Sequence, residues 1–118
     1  MSCVKKNKSF ITLLMKHRKS PGEIKRLLEI ADRGEIEACC EIYLNALKGN
    51  IPLNSRVSAL LQKHHKHCQE LVNKKTGLSK KRKILKHQSG GFFPALLGLA
   101  APILAPVVEA IIGKIIRK

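Results

Sequence analysis

Apolar residues recur at helical spacing through the first two thirds of this chain, and no strand-like alternation interrupts them. Between about Ser9 and His17, the spacing places Phe10, Leu13, Leu14 and His17 on one helical face. Ser20-Pro21-Gly22-Glu23 then reads as a helix start. Serine caps, proline takes the first helical position, and the glutamate stands where it closes a capping box. The helix that follows buries Ile24, Leu27, Leu28 and Ala31, and Gly34 ends it. A third helix, from about Glu35 to Lys48, offers Ile36, Cys39, Cys40, Tyr43, Leu44 and Leu47, with Gly49 as its stop. After a turn at Asn50-Ile51-Pro52, a longer helix from about Asn54 to Lys75 presents Val57, Leu60, Leu61, His64, Cys68, Leu71 and Val72, and Gly77 closes it. These stripes predict an all-α protein whose residues 9–76 form a small helical bundle with a modest core.

After Gly77 the pattern changes. Ser79 caps a short basic helix over Lys80 to Lys86 whose apolar residues are only Ile84 and Leu85. So little apolar surface predicts a flexible basic arm over 77–91 rather than a docked element, with Ser89-Gly90-Gly91 as its hinge. Phe92 to Val108 contains no charged residue and is interrupted by Pro94, Pro102 and Pro106. Further on, Val107, Val108, Ile111, Ile112, Ile115 and Ile116 gather on one half of a helical wheel, opposite Glu109, Lys114 and Arg117. Residues 92–118 therefore read as an apolar and amphipathic helical tail. It suits a membrane interface, contacted by Phe92, Phe93, Leu96, Leu97 and the six β-branched residues just named, or a groove on a protein. Three prolines and Glu109 argue against a spanning helix.

Charge adds a partner to this outline. The 118 residues carry 23 Lys and Arg against 8 Asp and Glu, a formal net charge of +15 with pI about 10.1. Such an excess raises affinity for anionic polymers and membrane surfaces and says little about fold. It is unevenly placed. Six of the acids fall between Glu23 and Glu41, whereas Lys74, Lys75, Lys80, Lys81, Arg82, Lys83 and Lys86 follow one another with no acid between them. Lysines along an exposed arm neutralise phosphates and release counterions, which predicts sequence-independent, salt-sensitive binding of nucleic acid through those seven residues. Lysine outnumbers arginine there, so bidentate reading of guanine edges is not favoured. Lys5, Lys6, Lys8, Lys16, Arg18 and Lys19 form a second basic stretch. One Tyr, three Phe and no Trp leave little for stacking on single strands. A nuclear localisation signal in Lys80-Lys81-Arg82-Lys83, or plain solubility, is the simpler use of the same charge.

Other chemistry finds little support. Cys3, Cys39, Cys40 and Cys68 have no paired spacing and no secretory signal before them, so reduced thiols in an intracellular protein are expected. His64 and Cys68 lie four apart on one helical face, as two metal ligands would. No second pair with zinc spacing accompanies them, and no metal or other cofactor is expected. Cys39 and Cys40 sit within an apolar stripe with no partner for nucleophilic catalysis, and the reading is non-enzymatic.

The run Gly90-Gly91-Phe92-Phe93-Pro94-Ala95-Leu96-Leu97, directly after a Lys/Arg-rich block, resembles the adenoviral core protein X (mu) precursor. In that family a basic peptide is followed by GGF(F/L)PAL and an apolar tail. The whole order of features, a short helical region, a basic block and the GGF-PALL ending, is similar to the protein-X-like proteins of adintoviruses and Maverick/Polinton elements. The matching residues run from about Lys80 to Ala101. The resemblance implies a virion protein, found in the virion and host nucleus, that condenses double-stranded DNA and meets capsid proteins. It further implies processing by a viral cysteine protease after Gly-Gly, here between Gly91 and Phe92, with Gly90 as the preceding residue. Gln88 stands where the family's sites carry an aliphatic residue or Asn. The tail alone also resembles amphibian brevinin-type antimicrobial peptides. The second expectation is accordingly a membrane-lytic or membrane-anchored protein using its lysines for anionic lipid. A small RNA-binding protein ranks third, because it gives the apolar tail no use.

Overall fold

In chain order the helices are α1 (Ser2–Lys6), α2 (Lys8–Lys16), α3 (Pro21–Ile30), α4 (Arg33–Leu47), α5 (Ser55–Lys63), α6 (His65–Val72) and α7 (Leu78–His87). An eighth, α8, runs over 92–102. The computed structural model describes residues 2–102 and 104, and no strand occurs among them. The all-α expectation therefore holds. Val107, Val108, Ile111, Ile112, Ile115 and Ile116, the amphipathic half of the expected tail, lie outside the described residues.

The bundle is organised around α4. Ile36, Ala38, Cys39, Cys40, Ile42, Tyr43 and Ala46 are all buried, so apolar surface covers most of this helix's circumference. A helix that is apolar nearly all round has to be enclosed, and α1, α2, α6 and α7 all pack against it. Its start is fixed by a capping box. Asp32 accepts from the Glu35 backbone N–H at 2.8 Å, and Glu35 accepts from the Asp32 N–H at 2.8 Å. Gly34, expected to end α3, belongs to the first turn of α4, and its carbonyl accepts from Asn7 Nδ2 at 3.2 Å.

The capping box expected at Ser20 and Glu23 does not form. Ser20 has ψ 89°, against 179° at Asp32 and 173° at Asn54, the two residues whose side chains do cap. Glu23 instead pairs with Arg26 at 2.8 Å. The N-terminal face also differs from expectation. Phe10, Ile11, Leu14 and Met15 are buried while Leu13 is exposed, because α2 packs along an i, i+1, i+4, i+5 stripe. α1, absent from the sequence reading, is held by Glu41, whose carboxylate accepts from the backbone N–H of Cys3 and Val4 at 3.4 and 3.1 Å. The single helix expected over 54–75 is bent into α5 and α6 at His64 (φ −104°, ψ 21°). Backbone hydrogen bonds continue through the bend, from His64 to Leu60 and from Cys68 to His64, both 2.9 Å.

The larger correction concerns 77–91. Instead of a flexible arm, this stretch contains α7, which packs on α3, α4 and α6 and buries Lys81, Ile84 and Leu85. The turn after it buries Gln88 and Ser89 while Gly90 and Gly91 remain exposed. α8 then closes the core, with Phe92, Phe93, Leu96, Leu97, Ala100 and Leu104 all buried. Phe93 stacks on Tyr43 with ring centroids 5.7 Å apart, and Phe92 meets the same ring edge-on at 5.5 Å. The Tyr43 hydroxyl donates to Gln88 Oε1. Residues 77–102 are thus continuous with the bundle expected to end at 76.

Candidate nucleic-acid interface

α7 docks because its cations find partners that its three apolar residues, Leu78, Ile84 and Leu85, alone would not supply. Arg82 Nη1 donates to the carbonyls of Leu28, Glu29 and Ala31 at 2.7, 3.2 and 2.7 Å. These are carbonyls at the C-terminal end of α3, which lack intrahelical donors. α3 has no basic residue of its own in that turn, so a guanidinium from another helix caps it. Lys81 runs inward, 5% exposed, with Nζ 3.7 Å from Glu37 Oε1. Lys80 pairs with Glu70 at 3.4 Å, and Lys86 pairs with Glu29. The Lys86 ammonium holds the Glu29 carboxyl below the usual carboxylate range, chiefly through their hydrogen bond.

Of the seven residues expected to bind nucleic acid, four are therefore engaged within the protein. Lys74, Lys75 and Lys83 are exposed and make no ion pair among the described residues. The fold brings Lys80, Arg82, Lys83 and Lys86 together in one open cleft of about 930 Å³ between α3, α6 and α7. Lys81 and Lys74 line a separate depression of about 380 Å³ with Cys3, Cys40, Glu37 and Glu41. Of the lysines and histidines that line the main cleft, Lys25 and His87 were not singled out in the sequence. Nothing local marks them. Lys25 sits in the acid-bearing segment, and only the packing of α3 on α7 carries it to the basic side.

The carboxylates explain why the remaining charge is uncompensated. Among the described residues each one is already occupied. Glu23, Glu29, Glu37 and Glu70 are in ion pairs, Asp32 and Glu35 cap α4, and Glu41 holds α1. Lys5, Lys6, Lys8, Lys16 and Lys19 are exposed and unpaired in the same sense, and Arg18 donates only to the Met15 carbonyl.

The other candidate groups are arranged for packing. Burial pushes the Cys40 thiol up to about 12 and that of Cys68 to about 11, and raises Cys39 well above its ordinary value. Such thiols are not nucleophiles near neutrality. His64 lies against Phe92, ring centroids 5.8 Å apart, and His67 stacks on its other neighbourhood at 6.3 Å. Desolvation, then the charges of Lys63, His67 and His87, lower the His64 pKa. Among the described residues no three His, Cys, Asp or Glu side chains converge as metal ligands, and no helix is long and apolar enough to cross a membrane. Phe92, Phe93, Leu96 and Leu97, expected to touch lipid, are core residues of this fold. Lipid contact by them requires α8 to leave Tyr43. Comparison of the chain with protein-family models, with curated proteins and with solved structures finds no match in any of the three.

Proposed function

We propose that this protein is a non-enzymatic, DNA-binding virion core protein that condenses double-stranded DNA without reading its sequence. The observation that carries this reading is the state of the carboxylates. With each one among the described residues committed to a cap or an ion pair, the exposed lysines present a positive surface left over for an external polyanion. The order of basic block, Gly-Gly and apolar segment, which resembles the adenoviral protein X precursor, supports the same class and with it a place in the virion and host nucleus.

Processing after Gly91 belongs to this proposal with a physical condition attached. Gly90 and Gly91 are exposed, but Phe92 is buried and the Gly91 carbonyl accepts from the Ala95 N–H at 3.3 Å. Cleavage therefore follows local opening of α8, and the released segment then contacts membrane or capsid. The test is duplex DNA binding measured against salt, comparing the full chain with Lys74→Gln/Lys75→Gln/Lys83→Gln. These three side chains are exposed, so the fold is spared. The log–log slope should fall by about 0.9 for each phosphate contact removed. An unchanged slope, or no binding at low salt, sinks the reading and leaves anionic lipid as the partner for these lysines.

A further inference from the structure

We infer that the cleft between α3, α6 and α7 is a binding site for a compact, multiply phosphorylated small molecule. The inference rests on reading this surface as a phosphate binder and narrows what the cleft itself takes. Its volume of about 930 Å³ falls within the range of about 300–1,000 Å³ typical of small-ligand sites. A duplex presents its phosphates on a convex cylinder and meets side chains that project from a surface. A concave site suits a ligand small enough to enter it.

The lysines converge from separate elements, Lys25 from α3 and Lys80 and Lys83 from α7, with the imidazoles of His67 and His87 beside them as further hydrogen-bonding groups. Charges gathered from two helices call for a ligand with several anionic groups at short spacing, because a single phosphate reaches only one or two of them. Lysine is a freely rotating point donor, suited to phosphate oxygens whose positions vary. Among the lining residues there is no Phe, Tyr or Trp to stack a base and no Asn or Gln to read one; the rings are the small imidazoles of His67 and His87, and Ile84 is the apolar member. The site thus selects for phosphate groups rather than for the base of a nucleotide.

One carboxylate of the lining already acts as an occupant: Glu70, 26% exposed, pairs with Lys80, 61% exposed. Lys86 of the lining, 27% exposed, pairs with Glu29, 58% exposed, outside it. Pairs that water reaches on one side are weakly held, so phosphate groups can take the place of the carboxylates without loss of the Arg82 cap or the buried Lys81. The shared chemistry is clustered phosphate, whether free in solution or on an inositol lipid headgroup.

The test uses the full chain, with inositol hexakisphosphate as the soluble probe and phosphatidylcholine vesicles carrying phosphatidylinositol bisphosphate as the lipid probe. Calorimetry should give one equivalent of inositol hexakisphosphate per chain. Lys25→Gln/Lys83→Gln should weaken binding at least tenfold, roughly the effect of losing one charge-assisted contact, while Lys48→Gln, outside the cleft, should leave it unchanged. Circular dichroism confirms that the exposed substitutions leave the helices intact. Binding with many equivalents, or equal weakening by Lys48→Gln, overturns the site. Vesicle binding that Lys25→Gln/Lys83→Gln abolishes, alongside weak soluble binding, supports the site and assigns the headgroup as its source. DNA binding that follows salt as expected, with no saturable inositol hexakisphosphate binding, overturns this inference and leaves the DNA reading standing. Loss of both overturns both.

Discussion

α4 and α7 pack against each other, and they hold their places by different means. α4 is enclosed chiefly by apolar contact, and its polar anchors are the capping box, Glu41 on α1 and Glu37 on Lys81. α7 buries only Ile84 and Leu85 among its apolar residues, and fixes the rest of its length through Arg82 on the end of α3 and lysines, the buried Lys81 among them, on Glu29, Glu37 and Glu70. A basic helix in a sequence is therefore not the same thing as a free basic arm. Its cations have first claim on any orphan carbonyls and carboxylates nearby, and only the remainder is available to a partner.

The largest separation between the two modes should come from the side that α8 contributes to the α4 core. Phe93 is fully buried against Tyr43, so Phe93→Ala should cost about 3–5 kcal/mol. Chemical denaturation should show that loss to be the same at low and high salt. Arg82→Met, which keeps the aliphatic stem but removes the donors to Leu28, Glu29 and Ala31, should cost about 1.5–3 kcal/mol. If Arg82→Met proves neutral, α7 is held by Ile84 and Leu85 after all, and the contrast between the helices collapses.

The fold class was legible because α3, α4 and the 54–72 region carry their apolar residues at helical spacing, and spacing is a local property. What the sequence could not display is which of two equally apolar faces wins. In α2, Ile11 and Met15 displaced Leu13 and His17 only because α4 lies on that side. The same limit hid α7. Two apolar residues looked insufficient, since the α3 carbonyls that accept from Arg82 lie more than fifty residues away in sequence. Phe92 and Phe93 were read as lipid contacts because hydrophobicity does not distinguish a membrane from Tyr43. Of the candidate interface, the lysines of 74–86 could be named in advance, while Lys25 and His87 entered it through packing alone.

The buried thiols sharpen the comparison from the side of pH. Cys40 and Cys68 have ionisations raised from 9.0 to about 12 and about 11 by burial. A group whose folded pKa is raised contributes stability that is complete below its unfolded value and lost above it. Stability should hold up to pH 9 and then fall toward pH 11, by up to about 1.4 kcal/mol per pH unit for each thiol. Denaturation midpoints of wild type and Cys40→Ala read this directly: the variant starts less stable, but its decline above pH 9 should be shallower. Parallel declines would place the alkaline loss on Cys39, Cys68 and Tyr43, whose ionisations burial also raises.

The smallest effect is expected at the exposed end of α7, where Lys86 meets Glu29. Lys86→Gln should destabilise less than Arg82→Met, because water and salt already screen this pair, and the difference from wild type should vanish in molar salt. Its pH dependence has the opposite sense to that of the thiols. Lys86 holds the Glu29 carboxyl below its ordinary value of 4.5, so the pair's contribution is present above that value and disappears as pH falls through the lowered one. Wild type and Lys86→Gln should therefore differ slightly at neutral pH and converge in acid. If they converge with salt but not with acid, Lys86 acts through the general field of the basic surface rather than through Glu29. The cleft would then hold one more lysine ready for phosphate than the ion pairs suggest.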